Sequence, residues 1–252
     1  MNPFSLAGKT ALITGGATGL GLAMTRCMVQ AGARVVVVAR SGREKFEANC
    51  GDLGENVVYY QGDIAKTECI PSLVQEILSR EGPIHILVNN AGNHCKKPIE
   101  EMETEEFSAV LQTHLVGAFA LTRALLPQMR ERKAGSVLFI ASMTSYIGQP
   151  YVMGYAAAKS GVLGMVRTLS AEAAVDGIRV NAIAPGWIDT PMYRAATDRD
   201  PARRAKILGR IQMNRVGAPE DIGWTAVYLC SDAAGYVTGT CLPVDGGALV
   251  GF

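Results

Sequence analysis

The sequence predicts a doubly wound α/β fold, about seven parallel strands with helices on both faces. Three observations predict it. Short β-branched or aliphatic runs recur along the 252 residues, each followed by a longer amphipathic stretch, which is the rhythm of strands covered by crossover helices. The run Val35-Val36-Val37-Val38 is apolar at every position, as a central strand covered on both faces requires. The first run ends in a glycine-rich turn, Thr14-Gly15-Gly16-Ala17-Thr18-Gly19-Leu20-Gly21.

The strands are expected at residues 10–14, 34–39, 57–61, 85–89, 136–141, 179–183 and 241–244. Helices fill the intervals. One has helical periodicity from Thr104 to about Arg132 with Pro127 near its end, and another runs from about Met153 to Val175. Pro219-Glu220-Asp221 reads as a helix start with an acidic first turn. Between them, residues 189–216 break the rhythm. That stretch is polar, rich in arginine and longer than an ordinary loop, so it is expected to be a substrate lid or disordered. With no linker, repeat or low-complexity tract, residues 1–252 read as a single domain.

Charge is nearly balanced, with 24 Lys and Arg against 23 Asp and Glu. That gives no electrostatic reason to expect nucleic acid or an anionic membrane as partner. The six cysteines (Cys27, Cys50, Cys69, Cys95, Cys230 and Cys241) form no Cys-x-x-Cys pair, and only three histidines accompany them, so no metal site is expected. They are expected to be reduced and mostly buried. Residues 1–8 lack a basic-then-apolar leader, and no apolar run approaches the length of a membrane span; the expectation is a soluble, cytoplasmic protein.

The turn from Gly15 through Gly19 to Gly21 suits a Rossmann-type dinucleotide site. Glycines allow the tight bend and let backbone N–H groups approach a pyrophosphate at a helix N-terminus. Cofactor choice follows from the end of the second strand, where a carboxylate would hold the ribose 2′-OH of NAD. Here the residues are Ala39, Arg40 and Ser41. With no carboxylate and a guanidinium able to grip a 2′-phosphate, NADP fits better, with NAD as the alternative and a merely solvated Arg40 as the competing reading.

Tyr155 and Lys159 stand at i and i+4 on one helix face, downstream of Ser142. A phenol must be moved down by roughly 2 to 3 units to act near neutrality, which requires about 3 to 4 kcal/mol. One cation at about 4 Å in a dielectric near 20 gives about 4 kcal/mol. Lys159 is therefore expected to lower the Tyr155 pKa, and the Ser142 hydroxyl to hold the substrate oxygen beside it.

These residues, with Asp63, Asn89-Asn90-Ala91-Gly92 and Pro185-Gly186 in the same order, make the whole chain resemble the short-chain dehydrogenase/reductase family. The resemblance implies that Thr18 and Leu20 join the glycines at the cofactor. Asp63 and Ile64 would meet the adenine, and Asn90, Ala91 and Gly92 would pass close to the cofactor. Pro185, Gly186, Ile188 and Thr190 would hold the nicotinamide. Tyr155 would exchange the proton, Lys159 would bind the ribose and Ser142 would orient the substrate. It also implies a homotetramer.

Within the family, the chain looks most like sugar-acid dehydrogenases of the gluconate 5-dehydrogenase kind and 3-oxoacyl carrier-protein reductases. His94, Lys96, Trp187 and Met192 are candidate substrate contacts. Lys96, Lys97 and the lid arginines (Arg194, Arg199, Arg203, Arg204 and Arg210) either draw an anion or form a solvated surface. The family usually has asparagine where this chain reads His114-Leu115-Val116-Gly117. His114 is accordingly a candidate catalytic residue, or a hydrogen-bonded core histidine. The overall reading is an NADP-dependent interconversion of a secondary alcohol and a ketone. A non-catalytic nucleotide sensor is the alternative of another class; it would tend to lose Tyr155 or Lys159.

Overall fold

The computed structural model describes residues 2–251. Seven strands form one parallel sheet: β1 (Thr10–Thr14), β2 (Arg34–Ala39), β3 (Val57–Gln61), β4 (Ile86–Asn89), β5 (Gly135–Ile140), β6 (Ile178–Pro185) and β7 (Cys241–Val244). Their spatial order is β3-β2-β1-β4-β5-β6-β7. The order reverses between β1 and β4, so a crevice opens at the carboxyl ends of those two strands, the place where such sheets bind ligands.

The pleat sends alternate residues to opposite faces. Ala11, Ile13, Val35 and Val37 pack with Met24, Met28 and Val227 from α1 (Gly19–Gln30) and the C-terminal helix Pro219–Cys230. Leu12, Val36 and Val38 point the other way. They meet Ile77 of a helix at Ile70–Glu81, Leu121 and Leu125 of one at Ala118–Glu131, and Val162 of one at Met153–Ala173. The valine run is buried throughout because both faces are covered. Counting in chain order, α2 is Arg43–Cys50, α3 Ile70–Glu81, α4 Thr104–Leu111, α5 Ala118–Glu131, α6 Met153–Ala173, α7 Pro191–Thr197, α8 Pro201–Leu208 and α9 Pro219–Cys230.

The first three strands and the last match the expected bounds. β6 runs past 183 because β7 pairs with Ala184 and Pro185 as well. α6 stops at Ala173 and tightens into a 3₁₀ turn at Ala174–Asp176. The segment 189–216 is ordered rather than loose. Thr190 Oγ1 accepts from the Tyr193 N–H at 3.3 Å and Asp200 Oδ1 from the Arg203 N–H at 2.9 Å, capping α7 and α8. Ile207 and Ile211 are buried against Met143 and Ala248.

Two further expectations need correction. α4 and α5 are joined through a π-helical turn, Gln112–Gly117, into one helix of 28 residues, long and apolar enough by composition to cross a membrane. Glu105, Glu106 and Arg123 interrupt its apolar run in the sequence. Val110, Leu121, Leu125 and Met129 are buried in the domain, so it serves here as a core helix. Of the cysteines, Cys27, Cys50 and Cys230 are buried, Cys69 is exposed, and Cys95 and Cys241 are half-buried; all are free. Burial is therefore the rule for only half of them.

α1 carries the glycine turn and is held by α9. A Cβ on Gly223 would lie 2.5 Å from Cys27 Sγ and 2.9 Å from the Ala23 carbonyl oxygen, so these helices meet through the bare glycine. Alanine would gain about 1 kcal/mol of helix propensity, but overpacking costs about 1 to 3 kcal/mol, and the backbone carbonyl cannot turn aside. We expect Gly223→Ala to lower the thermal midpoint by about 2 to 8 °C. A melting curve unchanged from wild type would contradict this contact.

Candidate active site

The crevice begins where β1 ends. Gly15 and Gly19 adopt positive φ (67° and 53°), and a Cβ on Gly21 would stand 2.2 Å from the Gly15 carbonyl oxygen. The turn therefore folds back on itself as only glycine permits. Thr14 ties it to β4: its Oγ1 accepts from the N–H groups of Asn90 and Ala91 at 3.0 and 2.9 Å, and Asn90 Nδ2 donates to the Thr14 carbonyl at 2.8 Å. Thr18, at the N-cap of α1, makes no side-chain cap. The first N–H groups of the helix are thus uncapped, and a Cβ at Gly19 would meet open space. Leu20 packs against the core cluster of that face. Free donors, a positive helix end and an open glycine rim fit a dinucleotide pyrophosphate.

Beside it, Tyr59 donates its hydroxyl to the carbonyls of Ala39 and Ser41 and fixes the end of β2. Arg40 is exposed there and has no ion pair among the described residues. Asp63 Oδ1 accepts from the Ala65 N–H at 3.0 Å, while Ile64 is buried. On the far side, Pro185 ends β6 and the Gly186 N–H donates to the Val244 carbonyl at 3.0 Å. Ile188 is buried and forms an isolated bridge with Gly217. The Thr190 hydroxyl is engaged in capping α7.

Ser142 follows β5 in extended backbone and caps a 3₁₀ turn, its Oγ accepting from the Thr144 N–H at 3.1 Å. Tyr155 lies in the first turn of α6, half-buried. Lys159, 4% exposed, has its Nζ 5.4 Å from the Tyr155 ring centre and donates to the Ile140 carbonyl at 2.5 Å. Ser145 Oγ donates to the Lys159 carbonyl at 2.7 Å, which pins α6 to the end of β5.

The expected direction of the phenol shift is reversed. Burial raises the Tyr155 pKa, with only the Ser142 hydroxyl opposing it, and burial lowers Lys159 to about 7. Desolvation penalises both charged forms at once. An amine that loses its proton near neutrality supplies little Coulombic help to the phenol.

His114 sits in the π turn at 6% exposure. Its Nε2 is 2.8 Å from the Asn93 carbonyl oxygen and 3.2 Å from the Asn93 N–H nitrogen. Its ring meets the Tyr155 ring edge-on, centres 5.4 Å apart. Gly92 must be glycine, since a Cβ there would lie 2.2 Å from the imidazole. Burial first, then the nearby Lys159, drives the imidazole down to about 3. It is held neutral near pH 7 and is placed as a hydrogen-bonded core histidine.

Around the mouth, His94 is exposed with its ring centre 5.0 Å from that of Tyr155. The expected basic patch is partly consumed. Lys97 pairs with Glu106 at 2.5 Å, Arg194 forks onto Asp189 at 2.7 and 2.9 Å, and Arg210 Nε donates to the Ala248 carbonyl. Lys96, Arg199 and Arg204 are exposed and unpaired among the described residues. Trp187 packs with Met143 and Ile207, and Met192 is 71% exposed. The sequence reading missed Tyr193, which joins that apolar cluster and whose hydroxyl is buried without a partner. Its signal was its place one residue after Met192.

A glycine-turn crevice running to a serine, tyrosine and lysine at the carboxyl ends of the central strands defines a dinucleotide-linked oxidoreductase. A family model described as enoyl-(acyl carrier protein) reductase matches residues 15–248. A 3-oxoacyl-[acyl-carrier-protein] reductase of Thermotoga maritima is 35% identical over 97% of this chain and 99% of its own. A 2-dehydro-3-deoxy-D-gluconate 5-dehydrogenase of Pseudoalteromonas atlantica is 38% identical over 98% of each. The crystal structure of a gluconate 5-dehydrogenase from Burkholderia cenocepacia in complex with NADP and tartrate superposes with a TM-score of 0.94 at 31% identity, covering 100% of this chain and 99% of that one. The chain belongs to the short-chain dehydrogenase/reductase family and is an oxidoreductase acting on CH–OH or keto groups.

Because its imidazole is neutral and bonded to Asn93, His114→Asn should keep turnover within about threefold. The wild-type pH–rate profile should carry no inflection near 6.5 that this substitution removes. Collapse of turnover in folded asparagine and alanine variants alike would assign the proton transfer to the imidazole.

Proposed function

We propose that this chain is an NADP(H)-dependent dehydrogenase that interconverts a secondary alcohol and a ketone on a sugar acid. The observation that carries the cofactor choice is Arg40, exposed and unpaired beside Ala39 where an NAD enzyme would place a carboxylate. The pyrophosphate lies against the uncapped start of α1 with Gly15, Thr18, Gly19, Leu20 and Gly21. Arg40 and Ser41 take the 2′-phosphate, and Asp63 and Ile64 border the adenine. Asn90, Ala91 and Gly92 flank the nicotinamide half together with Pro185, Gly186, Ile188 and Thr190.

When bound, the nicotinamide supplies or accepts the hydride. The protein handles the oxygen. Ser142 donates a hydrogen bond to the ketone oxygen, and Tyr155 gives it a proton, or removes one from the alcohol in the reverse direction. Lys159 binds the ribose and replenishes the phenol. Its pKa near 7 lets it both hold and release a proton at neutral pH. Water on the carbonyls freed in the π turn carries the proton outward, so the His114 side chain need only leave that path open.

The sugar-acid reading draws on the Pseudoalteromonas and Burkholderia relatives, the latter bound to a hydroxy dicarboxylate, tartrate. Lys96, Arg199 and Arg204 remain as unpaired cations for a substrate carboxylate. Residues 189–216 act as its lid, within a single domain over 1–252 that works as a cytoplasmic homotetramer. Exposed Val116 and Phe119 on the long helix support assembly. A second reading, 3-oxoacyl carrier-protein reductase, is favoured by the apolar cluster of Met143, Ile147, Trp187 and Tyr193 that follows Ser142 and Gly186 in the chain and by the Thermotoga relative.

The test compares NADPH with NADH on a keto sugar acid and on a 3-oxoacyl thioester. We expect NADPH and the sugar acid to be preferred, and Ala39→Asp with Arg40→Ala to move the cofactor preference toward NAD by about 10²-fold. Wild-type preference for NADH would refute the cofactor assignment, and preference for the thioester would refute the substrate.

A further inference from the structure

Two of the three histidines in the chain touch the Tyr155 ring, and they do different things. His114 is buried, and both its close contacts at Nε2 are with the Asn93 backbone. His94 is exposed, on the loop that leaves β4 at the ligand-binding edge of the sheet. Its ring lies tilted by 38° against the phenol ring, with centres 5.0 Å apart. Burial and the adjacent Lys96 hold the imidazole below its ordinary value, and no protein hydrogen bond opposes that shift. At neutral pH it therefore presents one N–H donor and one lone pair, at the mouth and against the phenol ring.

On the reading above, the ketone oxygen lies on Ser142 and Tyr155, next to the phenol ring that His94 contacts. A hydroxyl on the adjacent carbon then comes within reach of an imidazole stacked on that ring. We propose that His94 reads a hydroxyl group on the carbon next to the reacting carbonyl, so that α-hydroxy ketones are the favoured substrate class. The inference rests on Tyr155 as the proton-transfer group and deepens the sugar-acid reading. A keto sugar acid carries a hydroxyl beside its ketone, whereas a 3-oxoacyl thioester has methylenes on both sides. A hydroxyl can serve an imidazole as acceptor or donor. A methylene displaces water from the imidazole without replacing its hydrogen bond, which disfavours the plain ketone.

The test measures kcat/KM for 2-hydroxycyclohexanone and for cyclohexanone, two ketones of nearly equal size, with NADPH and again with NADH. Wild type should prefer the hydroxyketone by at least about tenfold. His94→Phe, which keeps a ring against Tyr155, should lose most of that preference, and His94→Gln, which restores a donor and an acceptor, should keep most of it. A wild-type enzyme that handles the hydroxyketone no better than the plain ketone overturns the proposal. So does a preference that persists in His94→Phe, or one lost equally in both variants, which would mean that ring packing alone matters. An enzyme that shows the His94-dependent preference but is inert toward keto sugar acids would retain this inference and refute only the sugar-acid reading.

Discussion

Desolvation at the foot of α6 is the constraint around which the rest of the site is arranged. Lys159 lies at the carboxyl end of β5 with the Ile140 carbonyl as its partner, and a lysine so placed sheds its proton at about 7 instead of 10.5. A shift of that size corresponds to about 5 kcal/mol. Between those two pH values the unfolded chain holds a proton that the folded chain does not. Stability therefore rises with pH across the window, and the full penalty falls on the folded state below it. The two apolar layers on either face of the sheet are what tolerate this cost. In return the molecule holds an amine that gains and loses a proton near neutrality within one helical turn of a phenol.

The neighbouring loops follow from the same burial. The π turn inserts an extra residue into the long helix opposite α6 and swings His114 inward, where it fastens the Asn93 backbone and demands glycine at 92. That fastening holds the strand-end loop on which His94 reaches Tyr155. Thr14 does the equivalent on the other side, bonding Asn90 and Ala91 to the glycine turn. The glycine-turn crevice and the loop that reaches Tyr155 are thus tied together through the backbone of residues 90–93.

The strands were legible in the sequence because parallel strands covered on both faces must be β-branched or aliphatic along their length, as the run from Val35 to Val38 is. Tyr155, Lys159 and Ser142 were legible because their spacing is itself the geometry. What spacing does not contain is burial, and burial reversed the expected shift of the phenol. The helices within residues 189–216 were hidden because the Ile207 and Ile211 pair, one turn apart, is surrounded by arginines that dominate the local composition. Pairing of Lys97 with Glu106 depends on a loop folding back onto a helix, and the π turn depends on the register of backbone bonds. Neither leaves a mark in residue order, and the length of the continuous helix was concealed by its charged interruptions.

The protonation of Lys159 tests the account most directly. In ligand-free enzyme with its lysines labelled at Cε, a carbon NMR titration should show one resonance with a midpoint near 7, absent from Lys159→Met. A wild-type spectrum with no resonance titrating near 7 that Lys159→Met removes would mean that the amine stays charged beside the phenol, and would contradict this arrangement.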